Sequence, residues 1–161
     1  MVDILEISAI VAAAGVLVGV IYYVLDMRSQ TRTRQTDLLM RLHLATTTKE
    51  MIEAALKFVS TDYKDYDDFV KRYGSLYIEG EVQTAFLMIG EFFEGIGVLL
   101  KNRLADIDQI IQLFNVEAYW VKMKPLVEGI RKRHNNPRIF EYFEYLYEEM
   151  KKIQQQASTK A

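Results

Sequence analysis

From Ile7 to Leu25 the chain runs for nineteen residues without a charge, a proline or an amide side chain. As an α-helix this run is about 28 Å long, close to the roughly 30 Å hydrocarbon core of a bilayer. Its apolar residues fall on every face, whereas a core helix of a small domain keeps one polar stripe. A chain of 161 residues holds about one domain of ordinary size plus one appended segment. Such a domain has too little material to enclose an all-apolar helix. The run therefore reads as a transmembrane helix with Ile7 and Leu25 near its ends.

The flanks give it a direction. "MVDILE" brings Asp3 and Glu6 ahead of the run, and the positive charges Arg28, Arg32 and Arg34 follow it. A cleaved signal peptide has the reverse order, with its basic region first. The positive-inside rule places the arginine side in the cytoplasm, and Tyr22 and Tyr23 fall at the level of the inner headgroups. The expectation is a single-pass protein of the cell membrane, N-terminus outside and C-terminal domain in the cytoplasm, with membrane lipid as its first partner. Within the run, Gly15 and Gly19 form a GxxxG, a spacing that lets two helices approach closely in lipid. A homo-oligomer or a partner helix packed there is one reading; the general frequency of glycine in membrane helices is the other.

The remaining chain reads as all-α. Glycine (8) and proline (2) are scarce, so there are few places to turn. The expected organisation is an anchor over 1–26, a juxtamembrane helix over 27–46 continuous with it, a compact domain of five to seven helices over 47–155, and a frayed tail over 156–161. Leu38, Leu39, Leu42 and Ala45 give the juxtamembrane helix one apolar stripe. Thr47 and Glu50 fit a capping box before "KEMIEAALKFVS", and a short helix "DFVKRYG" ends at Gly74. A longer helix is expected from 79 to 101, another from Asp106, and one from 116 to 133 with a kink or restart at Pro125. In "NNPRIFEYFEYLYEEMKKI", Asn136 is expected as N-cap with Pro137 at the first helical position.

Taken together, "RQTDLLMRL", "DYDDFVKRYG", "FFEGIGVLLK", "WVKMKPLVEGIRK" and "NPRIFEYFEYLYEEMKK", behind an N-terminal span, resemble an uncharacterised family of small membrane-anchored helical proteins of archaea and bacteria. The resemblance covers nearly the whole chain. It implies an architecture and carries no known activity or site.

Tests for chemistry return little. The chain has no cysteine, which removes disulfides, thiolate nucleophiles and cysteine-based metal sites. Di-iron bundles need Glu-x-x-His pairs, and His43 and His134 have Met40 and Arg131 three residues earlier. The acidic loop Asp62, Asp65, Asp67, Asp68 fails the EF-hand pattern in both registers, because neither the sixth position is glycine nor the twelfth glutamate. No G-x-S-x-G elbow is present. A net charge of -2 argues against nucleic acid as a partner. No catalytic residue, cofactor or metal ligand is expected.

Three features stay open. Gly95 and Gly97 sit inside an otherwise good helix, which costs about 1 kcal/mol each against alanine; a neighbouring helix or a ligand pressing on the backbone would explain them. Arg131, Lys132, Arg133, His134 and Arg138 could meet anionic lipid or simply complement a helix C-terminus. Phe140, Tyr142, Phe143, Tyr145 and Tyr147 could form an interface or a thick core edged by tyrosines. The functional expectation is a non-catalytic interaction module at the cytoplasmic membrane face, binding itself or a protein partner. The alternatives are an accessory subunit of a larger membrane complex, and a small-ligand sensor or enzyme using the Gly95/Gly97 region.

Overall fold

The computed structural model describes the backbone of residues 4–159 and the side chains of 15–158. Among the described residues there are seven helices and no strand: α1 (Ile4–Ala45), α2 (Lys49–Ser60), α3 (Tyr66–Tyr73), α4 (Glu81–Lys101), α5 (Ile107–Leu113), α6 (Val116–His134) and α7 (Glu141–Thr159). They divide into two compact units, 1–37 and 38–161. The division falls inside the expected juxtamembrane helix instead of at its end. The physical reason is Leu39, which is buried in the core of the second unit together with half-buried Leu42.

In the first unit every residue from Gly15 to Arg34 is exposed. The side chains of 7–14, the first part of the expected span, lie outside the described residues. Among the described residues, the one helix long and apolar enough to cross a membrane is α4, in mid-chain and not at the N-terminus. Its apolar residues are already engaged. Phe86, Ile89, Phe93 and Ile96 are buried, and α4 packs chiefly on α7 and α2.

Two aromatic groups fill the second unit. Phe86 contacts Phe58 at 4.4 Å and Phe69 at 5.1 Å between ring centroids. Phe143 stacks on Phe93 at 4.8 Å and meets Trp120 edge-on at 5.0 Å. Tyr119 joins the two groups, 5.6 Å from Phe58 and 5.1 Å from Phe93. Edge-to-face and offset contacts of this kind add roughly 0.5–1.5 kcal/mol per pair beyond area burial.

The helix ends follow local chemistry, with some shifts from the sequence expectation. Thr48, and not Thr47, caps α2 by accepting the Met51 N–H. Asp65 caps α3 through the Asp68 N–H, and Gly74 closes it at φ 89. Asp106 and Asn115 cap α5 and α6. Helix α6 continues through Pro125 as one helix; the carbonyl that proline leaves without a donor belongs to Val121, an exposed residue that water can reach. The largest shift is at α7. Asn135 takes a left-handed conformation that ends α6, residues 137–140 form a turn, and α7 begins at Glu141 instead of Pro137. At the other end α7 runs to Thr159, so the tail expected to fray from 156 is helical to that residue.

Candidate functional site

The residues singled out along the first unit stand on α1. Tyr22, Tyr23, Leu25, Arg28, Arg32 and Arg34 are all exposed, as are Gly15 and Gly19, where an added Cβ would meet nothing within 4 Å. The polar stretch after Leu25 satisfies itself locally. Gln30 donates to the Asp26 carboxylate at 2.9 Å, and Thr31 and Thr33 donate back to the Met27 and Ser29 carbonyls.

The two glycines of α4 differ from each other. A Cβ on Gly97 would run into the backbone carbonyl of Tyr142, whereas one on Gly95 would meet nothing within 4 Å. Two turns before Gly97, Gly90 lies against the Phe140 ring, and Glu94 sits between the two. The Glu94 carboxylate accepts the Phe143 N–H at 2.7 Å and is also engaged by the Tyr142 N–H. Gly90, Glu94 and Gly97 thus form a cradle on α4 that holds the start of α7. The space over Gly97 is filled by this chain's own backbone. Burial raises the Glu94 pKa, with the two backbone N–H groups acting in the opposite direction.

The aromatic residues of α7 separate into two sets. Phe140 and Phe143 are 5% and 0% exposed, so they are core and cannot serve as an interface; the α4 cradle and the Phe93–Trp120 cleft account for both. Tyr142, Tyr145 and Tyr147 are half-buried. Tyr145 already carries the Lys101 ammonium 4.7 Å over its ring, and Tyr147 lies 6.3 Å from Trp120.

Charged groups outside these helices mostly brace the fold. Asp68, in the first turn of α3, accepts from the Lys64 N–H and pairs with Arg72 at 2.9 Å, so of the four loop aspartates Asp65 caps the helix and Asp68 ties its first turn back to Lys64. Arg131 donates to the Ile139 carbonyl at 2.8 Å and to Glu144 at 2.5 Å, and Arg138 pairs with Glu141 at 2.9 Å. These contacts clamp α6 to α7 across the turn and leave Lys132 and Arg133 exposed. Tyr63 donates to the Lys122 carbonyl, and Lys122 donates to the Val59 carbonyl at 2.5 Å. Desolvation pushes the Tyr63 hydroxyl up and the Lys122 ammonium down. No cluster of three potential metal-ligating side chains occurs among the described residues.

An exposed apolar stripe on α2 lies outside the sites expected from the sequence. Helix α2 lies between two hollows of the second unit. One, of about 1000 Å³, is lined by Glu50, Glu53, Leu56, Lys57, Glu79 and Glu81 among others. The other, of about 430 Å³, is lined by Met51, Ala55, Phe92, Leu113, Phe114 and Tyr119 among others, with no charged side chain in its wall. Between them Ile52, Leu56 and Val59 are exposed. The signal was present in "KEMIEAALKFVS": these three recur at helical spacing on the side away from Ala54 and Phe58, so one helix has two apolar faces and only one core to bury them in.

A domain family described as a domain of unknown function (DUF4760) matches residues 9–150. The chain belongs to the DUF4760 family. No curated protein and no solved structure matches it. The DUF4760 match takes in both hollows beside α2, the α4 cradle and α7 as far as Met150.

Proposed function

We propose that this DUF4760 protein is a single-pass, membrane-anchored helical interaction module without catalysis, of archaeal or bacterial origin. Its α1 run crosses the cell membrane, the N-terminus lies outside, and residues 38–161 work at the cytoplasmic face on a protein partner or a second copy. One observation carries the reading. Val16, Leu17, Val18, Val20, Ile21, Val24 and Leu25 are 42–68% exposed. Leaving seven such side chains in water forgoes on the order of 10 kcal/mol of transfer free energy, and lipid tails remove that cost. The arginines that follow at positions 28, 32 and 34 support the orientation.

The test is alkaline extraction of membranes from cells producing the full chain. The intact protein is expected to stay in the pellet. Leu17→Arg combined with Ile21→Arg should release it, because each arginine near the middle of a span costs about 2.5–3.5 kcal/mol on insertion scales. Release of the unaltered protein contradicts the proposal.

A further inference from the structure

Ile52, Leu56 and Val59 are 46%, 66% and 62% exposed and follow one another at intervals of four and three residues. That spacing is the seam spacing of paired helices. Around the helix from this stripe, the two flanks have opposite character. One carries Lys49, Glu53, Ser60 and Lys57. The other carries Met51 and Ala55 and drops into the uncharged 430 Å³ hollow floored by Phe92 and Phe114.

We propose that this stripe of α2 pairs with the same stripe of a second copy, antiparallel, across a two-fold axis beside Ala55 and Leu56. The flanks decide both occupant and direction. In an antiparallel pair each flank faces its own counterpart, so charged meets charged and apolar meets apolar. Lys57 then comes level with Glu53 of the second copy and can exchange its exposed partner Glu81 for it. In a parallel pair the charged flank of one copy would lie against the uncharged flank of the other. Two exposed pairs already stand on α2's charged flank, Lys49–Glu53 at 3.7 Å and Lys57–Glu81 at 2.9 Å, and exposed pairs of this kind can exchange partners at little cost.

A twelve-residue helix is about 18 Å long and about 10 Å across. Its crest falls well short of the roughly 800 Å² per partner of a standard interface. Pairing is therefore weak in dilution and becomes significant where chains are concentrated on a surface, a point that rests on the membrane anchoring proposed above.

The absence of cysteine makes the test clean, since one introduced cysteine is the only thiol. Leu56→Cys and Leu104→Cys are compared in the full chain in host membranes under a mild oxidant. Both positions are exposed, so neither variant disturbs the core. A disulfide-linked dimer should form at least about tenfold faster through position 56, where pairing holds the two thiols together. Adding Ile52→Glu to Leu56→Cys should remove that advantage. Equal rates at 56 and 104, no dimer at 56, or an advantage that survives Ile52→Glu overturns the pairing. Alkaline extraction of the same membranes reads the anchoring separately: a retained protein that does not cross-link at 56 contradicts the pairing and leaves the anchor standing.

Discussion

The Glu94 carboxylate accepts the Phe143 backbone N–H at 2.7 Å, so a side chain of α4 takes the place of an N-cap for α7. The residue before α7 is Phe140, held at φ 53, which has no side-chain acceptor to offer. The first turn of a helix leaves backbone donors without partners, and here Tyr142 and Phe143 find theirs on another helix. Glu94→Ala should therefore cost about 1–2 kcal/mol, as loss of a cap does elsewhere. Glu94→Gln keeps an acceptor oxygen and should cost less. Denaturant titration followed through Trp120 fluorescence measures both, and an Ala variant as stable as the unaltered chain would refute the cap.

The same residue gives a pH dependence of defined sign. Burial raises its pKa above the ordinary value of 4.5, so the folded state holds the proton more tightly than the unfolded chain. The contribution of Glu94 is then fully present below about 4.5, its value in the unfolded chain, and declines as pH rises through its folded value. Stability measured from acidic to neutral pH should fall more, or rise less, in the unaltered protein than in Glu94→Gln. A difference of the opposite sign would contradict the burial argument.

Gly97 and Gly95 should respond in opposite directions to the same change. Gly97→Ala forces a methyl into the Tyr142 carbonyl and separates α4 from α7; a loss of about 2 kcal/mol or more is expected from overpacking. Gly95 is exposed, with open space where a Cβ would go, so Gly95→Ala should raise stability by up to about 1 kcal/mol through helix propensity. Thermal unfolding of the two variants side by side checks this. Equal losses would mean that both glycines serve one site.

How far these arrangements could be read from the chain depends on the range of the interaction. Asp106 and Gly74 act within a turn of their own helix, and the sequence expectation placed them correctly. The α7 start is not legible locally: Asn136 and Pro137 make a good local cap signal, while the actual anchor, Glu94, lies 49 residues from Phe143. Phe140 and Phe143 could not be told from interface residues by spacing alone, since their burial comes from Gly90, Phe93 and Trp120 on other helices. The stripe on α2 was legible in principle. Its second apolar face is masked in the sequence because one face already suffices to make the helix amphipathic.

Ion pairs in the second unit should differ sharply in weight. Arg131 is 16% exposed and holds Glu144 and the Ile139 carbonyl. Arg131→Ala leaves a partly buried carboxylate and a carbonyl without partners, so a loss of about 3 kcal/mol is expected. Lys49→Ala breaks a pair whose members are 82% and 64% exposed, and should change stability by less than about 0.5 kcal/mol. Urea midpoints at low and high salt separate the two: only the Lys49 effect should vanish in salt.

Helix α1 is proposed to carry the chain across a membrane with residues 38–161 on the inner side. The most direct measurement uses single cysteines at Asp3→Cys and Leu104→Cys, labelled in intact cells with a membrane-impermeant maleimide and again after lysis. Position 3 is expected to label in intact cells and position 104 only after lysis. Labelling of 104 from outside, or of neither position until lysis, would contradict it.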